Sequence, residues 1–109
     1  MTDAALEEVL AVLPRDCRPV EVGGDGPLAQ ALRARLGPRG AVAGARPMAI
    51  VETTGDPAAI QEALRRVEDL GTVVLAGPPP GPAALDLYAD LHVRGLTLVG
   101  AAPPAAGAR

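Results

Sequence analysis

The chain has 109 residues, a formal net charge of −3 at pH 7 and only 1% aromatic residues. This length allows one domain with a single core, which must be built from Ala, Val, Leu and Ile, so we expect modest stability. All ten basic residues are arginines scattered along the chain, which excludes a basic stripe for nucleic acid. No apolar run has membrane-spanning length, the N-terminus lacks the basic start of a signal peptide, and the single Cys17 excludes an internal disulfide. We therefore expect a cytoplasmic protein.

The first half predicts a helix, a strand and a second helix. Apolar residues at 3-and-4 spacing predict an amphipathic helix over Asp3 to Leu13. Residues 15–19 are expected to form a loop, and Val20 to Gly23 a strand. A second helix is predicted over Pro27 to Leu36, because proline suits the first helical position, and Gly37 is expected to end it as a left-handed cap.

The middle of the chain predicts another strand and helix. Ala41 to Ala43 is a candidate for a very short strand, whereas Met48 to Thr53 is a continuous apolar run of the kind found in buried strands. Asp56 is the predicted N-cap of a helix over Pro57 to Leu70, and Gly71 is expected to close it.

The last part predicts two more strands around an ambiguous segment. Thr72 to Ala76 and Leu96 to Gly100 read as strands, and the proline-rich residues 77–82 exclude regular structure. Residues 83–93 fit either a helix or a short extended piece and a turn. The alternation predicts an α/β fold, a minimal Rossmann-like open parallel sheet of about five strands with flanking helices. The predicted divisions are an N-terminal helix and linker at 1–19, the Rossmann-like domain at 20–100 and a flexible tail at 101–109.

The turn after the first predicted strand carries the motif G-x-G-x-x-A, from Gly24 to Ala29. In a dinucleotide-binding turn, the first glycine makes the turn, the second lets the backbone approach phosphate, and the small third position seats the helix on the strand. A glycine-rich turn that binds nothing also fits this short motif. If a phosphate or carboxylate binds, we expect it on the backbone N–H groups of Gly26 to Leu28.

Three later segments resemble the nucleotide-binding domain of zinc-type medium-chain alcohol and polyol dehydrogenases. They are Glu52-Thr53-Thr54-Gly55, Gly71 to Gly77 and Leu91 to Gly100, and with the glycine turn the resemblance covers about Val20 to Gly100. It implies a Rossmann sheet without the family's catalytic domain, and NAD(P) as a possible cofactor. The candidate cofactor-binding residues are Gly24, Gly26, Pro27, Leu28, Thr54 and Gly55.

Part of the dinucleotide site has no counterpart in the sequence. A dinucleotide fold places an acid about 20 residues beyond the glycine motif to hold the ribose hydroxyls. Arg35 to Pro47 contains no Asp or Glu, and this stretch is too short for a further βαβ unit. We therefore expect the third strand of a Rossmann sheet to be missing, with its flanking helices. Arg39 and Arg46 are either solvated loop arginines or contacts for a 2′-phosphate.

Catalytic side chains are equally scarce. One cysteine and one histidine supply neither a catalytic nor a structural zinc site, so no metal is expected. Cys17 is predicted to be a buried or loop thiol, with a reactive thiol as the less favoured alternative, and His92 a structural residue. Tyr88 either lines a site or, as a lone aromatic residue in a small domain usually does, fills the core. Glu52 ends a buried strand at the edge where open α/β sheets bind ligands, or it accepts hydrogen bonds from neighbouring loop amides.

These observations leave three functions open. The first is a non-redox, dimeric accessory or small-ligand-binding protein in a bacterial biosynthetic pathway, with a possible biosynthetic partner enzyme. The second is a minimal NAD(P)-binding oxidoreductase subunit whose substrate site comes from a partner chain, and the third is a non-redox enzyme that uses the old cofactor cleft. We expect a homodimer through the edge strand Leu96 to Gly100, as the family resemblance implies, and expect Thr97→Pro to remove an edge donor and break it.

Overall fold

The fold is a parallel sheet with helices on both faces, seen in a computed structural model that describes residues 2–37, 40 and 46–101. The strands are β1 (Val20–Gly23), β2 (Ala49–Glu52), β3 (Thr72–Leu75) and β4 (Thr97–Gly100), paired in parallel in the order β1-β2-β3-β4. The helices are α1 (Thr2–Val12), α2 (Pro27–Leu36) and α3 (Pro57–Arg66), followed by a π-helical turn at Tyr88–His92.

The predicted α/β class and parallel sheet are confirmed, but the strand count differs. The described residues form four strands instead of about five, and the candidate strand Ala41 to Ala43 lies outside them. Gly40 makes a single parallel bridge to Val20. Because β2 occupies one edge of β1, this bridge lies on the other edge. The chain leaves β1 through α2 toward that edge and then returns to β2. Because connections between parallel strands are right-handed, this change of direction places α2 and α3 on opposite faces of the sheet.

The two faces of the sheet bury separate apolar clusters. On the first face, α1 and α2 pack on alternate residues of the strands, and Val9 and Leu13 join this cluster. On the second face, α3 packs on Ile50 and Val73. All four residues of β2 are buried, as the continuous apolar run predicted. The α1 segment is thus part of the core, and the division of the chain at residue 19 stays a prediction.

The α3 helix ends earlier than predicted. It begins as expected, with the Asp56 carboxylate accepting the Ala58 N–H at 3.2 Å, but it ends at Arg66 and not at Leu70. The Arg94 guanidinium donates to the carbonyls of Leu64 and Val67, so a distant side chain satisfies the last carbonyls of the helix. Closure by Gly71 was therefore a wrong prediction.

The segment 83–93 is helical only in its second half. The Val93 N–H donates to the Tyr88 carbonyl at 2.9 Å, which closes a π-helical turn. Tyr88 is 69% exposed, so its prediction as a core residue was wrong. Its ring stacks on His92, with the ring centroids 5.5 Å apart.

The hydrogen bonds of β4 show that the Thr97 N–H, predicted to be a donor at the open edge of the sheet, is not one. The Thr97 N–H donates to Gly71 O at 2.9 Å and the Ala101 N–H to Leu75 O at 2.9 Å, so both point at β3. Successive N–H groups of an extended strand point to opposite edges. The N–H groups of Leu98 and Gly100 therefore face the open edge. Thr97→Pro would break the sheet within the chain and is the wrong test of a dimer. Ala101 is buried, and residues 102–109 of the predicted tail lie outside the described residues.

Candidate functional site

The glycine turn packs directly against the loop that follows β2. Gly24 has a φ of 112°, a region that favours glycine, and a Cβ there would clash with Thr53 Oγ1. The same hydroxyl donates to the Gly23 carbonyl at 2.7 Å. The first glycine of the motif is thus required by close packing, whether or not a ligand binds.

The second glycine of the motif leaves the start of α2 open. Gly26 is the N-cap, with φ −76° and ψ −179°, and Pro27 takes the first helical position as predicted. Among the described residues, no side chain caps this helix start, and its first turn holds no acid. A Cβ on Gly26 would meet no heavy atom within 4 Å. Ala29, the third motif position, is fully buried against the sheet, as the motif requires. An anion therefore has open access to the positive end of the α2 dipole, close to Leu28.

Arg33 forms hydrogen bonds at the edge of β1 beside this turn. Gly23 O accepts from the Thr53 N–H, so it points toward β2, and the carbonyls of Val22 and Gly24 point toward the other edge. One Arg33 nitrogen, Nη2, donates to Val22 O at 2.8 Å and to Gly24 O at 2.6 Å. The guanidinium thus donates to two carbonyls that point away from β2. Sequence reasoning missed Arg33, whose only signal is a basic residue in the last turn of α2.

Removal of this guanidinium is expected to destabilise the fold. Because Arg33→Met leaves the carbonyls of Val22 and Gly24 without a charged donor, we expect the free energy of unfolding to fall by about 1–2 kcal/mol. Arg35→Met is the matched control on the same helix. Arg35 pairs with Glu7 at 3.1 Å while both side chains are more than half exposed, so a loss below about 0.5 kcal/mol is expected. Urea unfolding measures both, and equal losses would mean that Arg33 does not hold the edge.

The Glu52 carboxylate accepts hydrogen bonds from the loop that follows β2. It is 3% exposed and accepts from the Thr54 N–H at 3.1 Å, the Gly55 N–H at 2.8 Å and Thr54 Oγ1 at 2.8 Å. This arrangement matches the alternative in which Glu52 binds loop amides. Thr54 and Gly55 remain candidate cofactor contacts from the sequence, but the structure commits their N–H groups to Glu52. Gly55 also packs against the backbone of Pro78.

A cleft of about 200 Å³ lies between the glycine turn, β2 and α3. Its charged side chains are Glu21, Glu52, Glu62 and Arg66, and the arginine forms an ion pair with Glu21. With three carboxylates and one committed arginine, this cleft repels a phosphate. Anion binding is therefore disfavoured on the α3 side of the turn.

The remaining candidate residues do not join this site. Arg46 donates to the carbonyls of Arg65 at 2.8 Å and Arg66 at 3.3 Å, so it caps the end of α3, and Arg39 lies outside the described residues. Cys17 is half-buried, and His92 is exposed and stacks on the Tyr88 ring. Within residues 2–37, 40 and 46–101, no three His, Cys, Asp or Glu side chains are grouped for a metal ion. In the same part of the chain, no helix is long and apolar enough to cross a membrane.

Solved structures identify the fold, whereas no protein-family model and no curated protein sequence matches the chain. S. aureus TarJ in complex with NADPH is 15% identical, with a TM-score of 0.77 over 94% of this chain and 43% of TarJ. For 2R,3R-butanediol dehydrogenase from Bacillus subtilis, the identity is 16% and the TM-score 0.76, over 91% and 39% of the two chains. Galactitol-1-phosphate dehydrogenase from Escherichia coli is 17% identical, with a TM-score of 0.67 over 92% of this chain and 40% of the dehydrogenase.

These matches confirm the predicted resemblance at the level of fold. The chain has the Rossmann-like fold of the nucleotide-binding part of zinc-type medium-chain alcohol and polyol dehydrogenases, and spans about two fifths of the length of the solved structures it matches. Because a fold does not fix a function, the activity must be argued from the site.

Proposed function

We propose that the chain is a non-redox, dimeric accessory protein that binds a small phosphate- or carboxylate-bearing ligand at its glycine turn. We place it in the cytoplasm and in a bacterial biosynthetic pathway, with a biosynthetic enzyme as a possible partner. The observation that carries the proposal is the guanidinium of Arg33 on the edge of β1 that faces away from β2.

The charge at this edge argues against the usual recognition of a dinucleotide. A dinucleotide fold places an acid at the end of the strand beyond this edge, where it binds the ribose hydroxyls. Here a cation lies within hydrogen-bonding distance of the Val22 and Gly24 carbonyls, next to the uncapped start of α2. A positive side chain and a helix N-terminus both favour an anion, and neither recognises a ribose diol.

A minimal NAD(P)-binding oxidoreductase subunit is the second candidate. The open space at Gly26 favours it, because a pyrophosphate needs close approach to this backbone, and TarJ has a similar fold and was solved with NADPH. In that case a partner chain supplies the substrate site.

Calorimetric titration separates the two candidates. We expect inorganic phosphate or pyrophosphate to give saturable heat, and NAD, NADH, NADP and NADPH to bind no tighter than pyrophosphate does. Micromolar binding of any of the four dinucleotides, at least about tenfold tighter than pyrophosphate, would establish the second candidate instead. Absence of binding by both anions would refute the anion site.

Gly26→Val tests the position of the ligand. Its φ of −76° and the open space around it let valine fit without strain, so the variant should fold, while the added methyl groups obstruct the N–H groups of Gly26 and Leu28. We expect anion binding to weaken by about tenfold or more. Gly81→Val, where a Cβ also meets nothing within 4 Å, is the control and should bind as the unmodified protein does. Unaltered affinity in Gly26→Val would place the ligand elsewhere.

The dimeric part of the proposal concerns the open edge of β4. Within the described residues, the N–H groups of Leu98 and Gly100 have no strand partner at this edge, and β4 contains no Lys or Pro to discourage pairing. A two-fold contact between two such edges satisfies both and removes apolar surface from water, which stabilises a small domain.

A further inference from the structure

The exposed large apolar side chains of the described residues lie in two segments that touch each other. They are Leu70, 77% exposed, Leu87, 63%, Tyr88, 69%, and Val93, 59%. Gly95 connects the segments, because a Cβ there would meet the Leu70 side chain, and it lines a shallow cavity of about 560 Å³ with Leu87 and Tyr88. We call Leu70, Leu87, Tyr88, Val93 and this cavity the apolar patch. Grouped exposed apolar side chains of this kind mark interaction surfaces more often than scattered ones do.

The backbone holds Leu70 in an unfavourable conformation, and Tyr88 lies outside the core. Leu70 has a φ of 66°, which costs a branched side chain about 1–2 kcal/mol, and its N–H donates to the Arg94 carbonyl at 2.9 Å. Tyr88 is the single aromatic residue of the chain, yet it stacks on His92 at the surface instead of filling the core. Neither feature contributes much to the stability of the isolated domain.

The two segments that carry the patch are net acidic. Residues 68–70 and 86–96 hold four of the thirteen acidic residues and one of the ten arginines, so they account for the whole net charge of −3. That arginine, Arg94, is 18% exposed and is committed to Asp69 and to the carbonyls at the end of α3. We call the four carboxylates of these segments, Glu68, Asp69, Asp86 and Asp90, the acidic rim of the patch; of these, Asp69 is paired with Arg94.

We propose that the apolar patch is a docking surface for a protein partner that presents an apolar helix face flanked by arginine or lysine. Apolar side chains at helical spacing would fill the cavity, and the flanking cations would face the acidic rim. A second copy of the chain is the poorer occupant, because a two-fold contact brings the same rim against itself and places carboxylates opposite carboxylates. This surface lies at the amino end of β4 and is separate from the glycine turn.

A synthetic helix is the probe for this proposal. The labelled peptide has leucines at i, i+3, i+4 and i+7 with lysines beside them, and the control peptide has glutamates in place of the lysines. Fluorescence anisotropy is expected to show binding of the lysine peptide that salt weakens, and at least about tenfold weaker binding of the glutamate peptide.

Variants inside and outside the patch locate the binding. Tyr88→Ser is expected to weaken binding of the lysine peptide by about tenfold, and Asp90→Asn is expected to weaken it by about threefold. Glu7→Gln removes an exposed carboxylate outside the patch, and Gly26→Val alters the glycine turn, so both should leave peptide binding unchanged. Equal binding of the two peptides, or unchanged binding by Tyr88→Ser, would overturn the proposal. Weaker self-association of Tyr88→Ser in sedimentation would assign the patch to a second copy and would overturn it as well.

Discussion

Replacement of Glu52 by alanine is expected to lower the free energy of unfolding by about 3 kcal/mol, because it removes the acceptor of two backbone N–H groups and one hydroxyl in a buried loop. Glu52 is 3% exposed, so water does not take over these hydrogen bonds in the folded protein. The loop also packs on the backbone of Pro78 through Gly55, so its disorder would loosen the connection after β3. Urea unfolding, followed by circular dichroism, measures the change.

Two controls separate this structural role from a general effect of charge. Glu62→Ala removes an exposed carboxylate from the same cleft and should change stability by less than about 0.5 kcal/mol. Glu52→Gln keeps the volume and one acceptor oxygen, so a loss of about 1 kcal/mol is expected. A loss below 1 kcal/mol for Glu52→Ala would contradict the structural role and leave the carboxylate available to a ligand.

Replacement of Gly100 by proline is expected to convert the proposed dimer into a monomer at micromolar concentration. The Gly100 N–H faces the open edge of β4, and the two-fold contact loses this donor twice, at about 1 kcal/mol each. The dissociation constant should therefore rise by about thirtyfold, or more where the proline ring obstructs the contact. The fold should survive, because no side chain is lost and the extended Val99 suits the position before proline.

Sedimentation velocity or light scattering measures this change. Gly100→Ala keeps the N–H, its Cβ meets no atom within 4 Å, and it should remain dimeric. Thr97→Pro is a contrasting variant, because its lost N–H bonds to Gly71 and its defect should appear as lower stability. A monomeric unmodified protein, or an intact dimer of Gly100→Pro, would show that the β4 edge is not the interface.

The sequence by itself determined the features that depend on neighbouring residues. The bounds of β1 and α2 were predicted correctly, and so was the start of α3 at the Asp56 cap. Proline fixes its own φ, an Asp cap binds the N–H two residues on, and a continuous apolar run needs burial on both faces, so each signal acts within a few residues. The parallel α/β class followed from the order of these elements.

The tertiary structure alone decided the features that depend on contacts between distant residues. Arg94 and Arg46 bind the carbonyls at the end of α3, and Arg33 binds the carbonyls of Val22 and Gly24 at the edge of β1. Tyr88 lies at the surface and not in the core, and the Thr97 N–H faces β3 and not the open edge. An arginine side chain reaches any carbonyl that the fold brings near it, and strand pairing fixes which edge each N–H faces. Neither choice leaves a local pattern in the sequence, because both arise only when the strands and helices are packed together.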